Sequence, residues 1–186
     1  LALEGLQPWA ALPVAHEEAE PDFSHTPAVS IPERSIGGAA VRVLIGEAFG
    51  LRSPVPTFAP TLYLDVALEG GAYFDLPALA DERAVCVLDG WVDVDGAAVP
   101  PTVLRVLARG QGARIAAGTK ARLVVIGGAP LESRRHMWWN FVSSRRERIA
   151  RAADDWAAQR MGRVPGETGF IPLPAKAASL ERPDLD

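Results

Sequence analysis

From Ala39 to Ile126 the chain is a succession of short apolar runs, each closed by a turn signal. This pattern restricts the fold more than any other feature. Val41-Arg42-Val43-Leu44-Ile45 ends at Gly46. In Thr61-Leu62-Tyr63-Leu64-Asp65-Val66, the residues Leu62, Leu64 and Val66 share one face, and Gly70-Gly71 stops the run. Val85 and Val87 oppose Cys86 and Leu88, and Trp91-Val92-Asp93-Val94 follows. Alternation with a period of two marks a strand that buries one face. Asp95-Gly96 predicts a tight hairpin, because Gly accepts a positive φ without a Cβ clash. Val103–Leu107 predicts the next strand, ended by Gly110. Leu123-Val124-Val125-Ile126 is apolar on both faces and predicts a central, fully buried strand. Together these runs predict a closed or sandwich-like antiparallel β fold.

One helix is expected, over about 143–161. Ser144-Arg145-Arg146-Glu147 has capping-box spacing. Ile149, Ala152, Ala153, Trp156 and Ala157 then recur at helical intervals as one apolar stripe, with Trp156 its expected anchor against the β fold. Gly162 offers a left-handed C-terminal residue, and Pro165 prevents continuation. Residues 1–36 carry Pro8, Pro13, Pro21, Pro27 and Pro32 and are expected to form an extended arm. Residues 37–174 are expected to be the folded domain, and 175–186 a mobile tail.

Composition narrows the function. Hydrophobic residues make up 48% and charged residues 23%, which fits a folded globular chain. A net charge of -4 gives no electrostatic reason to expect nucleic acid or an anionic membrane as a direct partner. No apolar run approaches the ~20 residues that span a bilayer, and Leu1-Ala2-Leu3-Glu4 has no basic leader. The lone Cys86 cannot close an internal disulfide, so a reducing cytoplasm is expected. Asp93 and Asp95 flank a turn and read as a solvated strand face. Glu17, Glu18, Glu20 and Asp22 read as a solvated acidic run, and Arg145, Arg146, Arg148 and Arg151 as a solvated basic stripe. Gly110-Gln111-Gly112 and Gly127-Gly128 lack the helix and Lys-Ser/Thr of a phosphate loop. Arg134-Arg135-His136-Met137-Trp138-Trp139-Asn140-Phe141 is both basic and aromatic. Arg135, Trp138 and Trp139 could stack a flat ligand and hold its anionic oxygens, or serve an interface. The plainer reading is a loop whose tryptophans cover one end of the β fold.

Three stretches in order carry a family resemblance. They are Gly5-Leu6-Gln7-Pro8-Trp9-Ala10-Ala11-Leu12-Pro13, then Gly127-Gly128-Ala129-Pro130-Leu131-Glu132, then Val164-Pro165-Gly166-Glu167-Thr168-Gly169-Phe170-Ile171-Pro172-Leu173-Pro174, with Asn140-Phe141-Val142-Ser143-Ser144 leading into the helix. The chain resembles the pirin family. That resemblance implies a cupin-like antiparallel β-barrel or sandwich, a double-stranded β-helix, with one C-terminal α-helix. It implies that the chain is the second barrel of a bicupin and begins about where the first would finish. Family metal ligands, three His and one Glu, lie in the first barrel and match no position here. A cupin metal site needs imidazoles projecting from adjacent strands, with open positions for substrate or dioxygen. The three histidines, His16, His25 and His136, lie in the arm and a loop, so no catalytic, cofactor or metal residue is assigned, with His136 the weak candidate for a metal.

Two activities follow from the resemblance. One is cleavage of flavonols such as quercetin by a mononuclear metal (Fe, or Zn, Ni or Cu) in the absent barrel. The other is a non-catalytic, redox-sensing regulator that binds transcription factors or metabolic enzymes. In either case the chain itself is expected to be a metal-free scaffold or interaction half. Its partner is expected to be the missing N-terminal cupin domain or a second copy in a homodimer. Leu6, Trp9, Leu12, Phe170 and Ile171 would then lack their usual partners and favour self-association.

Overall fold

Alternation in the central strands sorts side chains onto two faces, and the structure keeps the apolar set inside. The structure is a computed structural model and describes residues 5–162 and 165–174. The tail expected at 175–186 lies outside the described residues. Two compact units are present: Glu20–Pro130, and Leu1–Ala19 together with Leu131–Asp186.

The Glu20–Pro130 unit holds strands β1 (Glu33–Ile36), β2 (Ala39–Ile45), β3 (Glu47–Ala48), β4 (Leu51–Arg52), β5 (Thr61–Leu68) and β6 (Tyr73–Leu76). It continues with β7 (Glu82–Asp89), β8 (Val92–Val94), β9 (Ala97–Val99), β10 (Leu104–Val106), β11 (Ala113–Ala117) and β12 (Ala121–Gly128). Six strands form one sheet in the order β1-β2-β5-β12-β7-β10, and four form another in the order β6-β11-β8-β9. Every pairing between them is antiparallel. The expected barrel or sandwich is therefore a sandwich. Among the described residues the two sheets share one core but no closing ladder.

Strand β12 is central, as its two apolar faces predict, with β5 on one side and β7 on the other. Leu123 lies opposite Val66 and Val87, and Val125 opposite Leu64 and Val85. These six side chains are fully buried. Phe74, Leu76, Val92, Val94 and Ile115 of the smaller sheet complete the same core. Burying one such side chain stabilises by roughly 1.5–3 kcal/mol, so these rows dominate the stability of the unit. Asp95 and Gly96 both take positive φ (52° and 83°) between Val94 and Ala97, the geometry of a type I′ hairpin. At Gly118 an added Cβ would sit 1.9 Å from the Trp91 ring, so the indole lies directly on the glycine backbone.

Polar groups close the ends and the outer face. Asp65 on β5 receives a two-pronged hydrogen bond from Arg122 on β12, at 3.0 and 3.1 Å. Arg42 on β2 stands 4.0 Å away on the other side. Arg83 shares a face with Val85 and Val87 and is only 3% exposed. Its guanidinium donates to the carbonyls of Pro77, Ala108 and Gln111, pinning two loops to the end of β7.

Leu64→Ala is expected to destabilise the chain by about 2–5 kcal/mol, because the site is walled in and cannot collapse. Urea unfolding measures this, and an unchanged midpoint would contradict the core assignment.

Candidate functional site

The second unit is built around a carboxylate that its sequence context presents as solvated. It contains strands β13 (His136–Trp138) and β14 (Phe141–Ser143), paired as a hairpin, and helix α1 (Arg146–Ala157). The helix lies within the span expected from the sequence, and the residues ahead of it form β14 instead. The capping box is not made. The N-cap is Arg145, without a side-chain hydrogen bond to the helix. Ser144 is turned away because its amide and its hydroxyl both donate to Glu17. Ser143 is hydrogen-bonded to Glu17 as well, and its hydroxyl oxygen accepts the Arg145 amide. At the far end Gln159, with φ 55°, supplies the first left-handed residue, and Gly162 follows later. The helix stops earlier than the sequence suggests because the Gln159 amide bonds back to the Trp156 carbonyl.

Glu17 is thus a buried carboxylate, its side chain 9% exposed. Arg135 stands beside it, 6% exposed, with Nε 2.8 Å from Glu17 Oε1. The Nε–H is not aligned on that oxygen, so the contact is an ion pair and not a directed hydrogen bond. The other Arg135 nitrogens donate to the Leu12 carbonyl and to the carbonyl and hydroxyl oxygens of Ser133, each at 2.8 Å. Glu132 accepts the Val14 amide and lies 3.3 Å from Arg135. Glu18 pairs with Arg145 and Arg148. The expected solvated acidic run is corrected at Glu17, which is buried against Arg135, Ser143 and Ser144, while Glu18 pairs with Arg145 and Arg148 and stays half-exposed. Burial alone would raise the Glu17 pKa. Hydrogen bonds from the Ser144 hydroxyl, the Ser144 amide and Ser143, with the charge of Arg135, outweigh it and hold the carboxyl below its ordinary range.

The candidates Arg135, His136, Trp138 and Trp139 all fall in this unit. Trp139 takes a positive φ of 51° at the hairpin turn, a strained conformation for a bulky residue. Its ring meets Phe141 edge-on at 5.4 Å and Trp156 at 5.2 Å. Trp156 stacks on Phe170 at 5.8 Å, and its indole donates to the Ile171 carbonyl at 2.8 Å. The anchor role of Trp156 is thus filled within this unit, by Trp139 and the 170–171 segment. Trp138 lies 6.2 Å from Phe141. The aromatic rings pack mainly on one another, and Arg135 is directed at the arm. His136 sits on β13 opposite Ser143, with its Nδ1 buried and without a hydrogen-bond partner among the described residues. His16 and His25 are exposed. Among the described residues no three His, Cys, Asp or Glu side chains converge as metal ligands would, and no helix is long and apolar enough to cross a membrane. Leu6 (50% exposed), Trp9 (52%) and Ile171 (70%) present apolar surface. Sequence reasoning missed Glu17 because its partners lie far along the chain and no local spacing announces them.

Removing the Glu17 carboxylate by Glu17→Ala is expected to cost about 1–3 kcal/mol, since the Ser144 amide and hydroxyl lose their acceptor and Arg135 keeps only Glu132 as a counter-charge among the described residues. Because the native pKa is lowered, the Glu17 contribution is complete above the unfolded value of about 4.5. It is lost as pH falls through the native value. Chemical unfolding from pH 7 to 3 should show this loss in the parent and a shallower slope in Glu17→Gln. Identical slopes would refute the assignment. Trp156→Ala is expected to cost about 3 kcal/mol by thermal melting.

Comparison with known proteins agrees with this architecture. Residues 63–162 match the Pirin C-terminal cupin domain. A pirin-like protein of Caulobacter vibrioides is 38% identical over 174 residues, which is 92% of this chain and 60% of the relative. Human Pirin is 30% identical over 165 residues, covering 85% of this chain and 57% of Pirin. The crystal structure of a quercetin 2,3-dioxygenase from Acinetobacter baumannii superposes with a TM-score of 0.82 at 28% identity, over 90% of this chain and 57% of that one. The chain therefore spans about three fifths of the length of the curated relatives named here. With the sandwich, the hairpin and the helix all accounted for, the chain belongs to the pirin family and carries its C-terminal cupin domain.

Proposed function

We propose that this domain is the metal-free, scaffolding half of a two-barrel pirin-like protein. The observation that carries the reading is the occupancy of the sandwich interior. Leu62, Leu64, Val66, Val85, Val87, Leu123 and Val125 fill the inward positions of the three central strands. A metal site there would need imidazole or carboxylate groups in place of these methyl-bearing side chains. The residues present do not fit a metal, and no reaction step is assigned to this chain.

On this reading the reactive barrel is a separate N-terminal cupin holding a mononuclear metal, iron or else zinc, nickel or copper. Its reaction would be dioxygenase cleavage of a flavonol such as quercetin, the activity named for the Acinetobacter structure. This chain would cover that barrel, or a second copy of itself, through the apolar groups of the arm and the 170–171 segment. Nucleic acid and membrane are not among its partners on this reading. An unpaired Cys86 is consistent with a reducing cytoplasm. A second reading, a non-catalytic pirin-type regulator that binds other proteins, is supported by the identity to human Pirin. It is also supported by the exposed Leu6, Trp9 and Ile171.

Elemental analysis of the purified chain and oxygen consumption with quercetin test the proposal. Substoichiometric metal and no turnover are expected, with turnover appearing when an N-terminal pirin barrel is joined to it. One metal per chain, bound by protein nitrogens, would overturn the scaffold reading. A joined, metal-loaded protein inert toward flavonols would favour the regulator.

A further inference from the structure

We propose that the free edge of β10 is a docking site for an extended strand carrying a carboxylate between two apolar residues. The inference is independent of any metal or reaction.

The edges of the two sheets are treated differently. Edge β1 is preceded by Pro32 and carries Glu33 and Arg34. Glu33 is 3.6 Å from Arg42, and Arg34 donates to the Phe49 carbonyl. Edge β6 bears Asp75, which pairs with Arg114 at 2.8 Å. Edge β9 runs into Pro100-Pro101. Charges and prolines of this kind stop a sheet from adding strands. Edge β10 follows Pro100-Pro101 and carries one charge, Arg105, which has no ion-pair partner among the described residues, and its two apolar positions stay open. Leu104 is 53% and Val106 72% exposed, and Val103 just before them is 42% exposed.

The ladder shows which backbone groups are free. The Leu107 amide donates to the Arg83 carbonyl at 2.9 Å, and Leu104, Arg105 and Val106 lie opposite Cys86, Val85 and Ala84. Antiparallel ladders alternate, so Arg105 exchanges hydrogen bonds with Val85. The amides and carbonyls of Leu104 and Val106 then point away from β7, toward an added strand.

Arg105 selects the occupant. It projects to the face opposite Leu104 and Val106, and no carboxylate partner is found for it among the described residues. A second copy pairing antiparallel would set Arg105 against Val103, Arg105 or Leu107, with no counter-charge in any of these registers. Like charges directly opposite are destabilising, and opposite charges add to strand pairing. A partner strand reading apolar–acidic–apolar satisfies both the charge and the two exposed side chains, as in strand addition to other sheet edges.

The test uses the full chain, labelled with 15N, and the blocked peptide Thr-Thr-Val-Glu-Val-Thr-Thr, with a Lys-centred version as control. The Glu peptide is expected to shift the Leu104 and Val106 amides and to bind about tenfold more tightly than the Lys peptide. Arg105→Glu should reverse that preference. Val106→Pro, which removes an outward amide at an edge position, should abolish binding while leaving the thermal melt in place. Equal binding of both peptides, or shifts mapping elsewhere, would overturn the proposal. So would a dimer in sedimentation that Val106→Pro dissolves, since the edge would then pair with a second copy. If Val106→Pro fails to fold, the Arg105→Glu reversal decides the matter alone.

Discussion

The row of apolar side chains crossing β5, β12 and β7 governs what the Glu20–Pro130 unit can be. Leu64 and Val125 oppose each other, as do Val66 and Leu123, and all are sealed from solvent. That row closes the sandwich and leaves no polar donor on the central inward positions. A β-sandwich of this kind can hold chemistry only if some inward positions are surrendered to ligating groups, at a cost in burial. Here they are not surrendered. Arg83 is the charged exception on that face of β7, and backbone carbonyls of two loops take up its guanidinium. It binds loops together.

The Leu1–Ala19 and Leu131–Asp186 unit is organised by polarity instead. Among its described residues the small hairpin and α1 bury few large side chains, so a network around Glu17 and Arg135 defines how the arm meets the approach to the helix. A buried ion pair adds little net stability over an apolar pair of the same size, yet leaving one partner alone is costly. Here its hydrogen bonds tie the arm to the hairpin and to the start of the helix. The aromatic chain Phe141, Trp139, Trp156 and Phe170 then packs alongside, and the strained turn at Trp139 is compensated by two ring contacts.

Much of the β-sandwich was legible in the residues. The alternation in Thr61–Val66, the doubly apolar Leu123–Ile126 and the Asp95-Gly96 turn all appear as β5, β12 and the β8–β9 hairpin. Each of those signals is local: a period, a run, a dipeptide with a backbone preference. The helix stripe of Ile149, Ala152, Ala153 and Trp156 was legible for the same reason. Its ends were not. Ser144 satisfies every local rule for a cap, but Glu17 offers its amide and hydroxyl a charged acceptor, and charge-assisted hydrogen bonds are the stronger kind. The same long-range partner turned a nominally solvated acidic run into the centre of the unit. At β10 the sequence showed a strand but not its position, and only the sheet order leaves its apolar residues on an open edge.

The sequence by itself marked the central strands β2, β5, β7 and β12, the β8–β9 turn, the apolar stripe of the helix, and the family the chain resembles, because propensity and period act over a few neighbouring residues; it did not mark β1, β6, β11 or the β13–β14 hairpin. Tertiary structure alone decided which carboxylate is buried, which serine fails to cap, and which sheet edge stays unguarded. Each of these depends on groups that meet only after the chain has folded, and the energy of a charge is set by what surrounds it there.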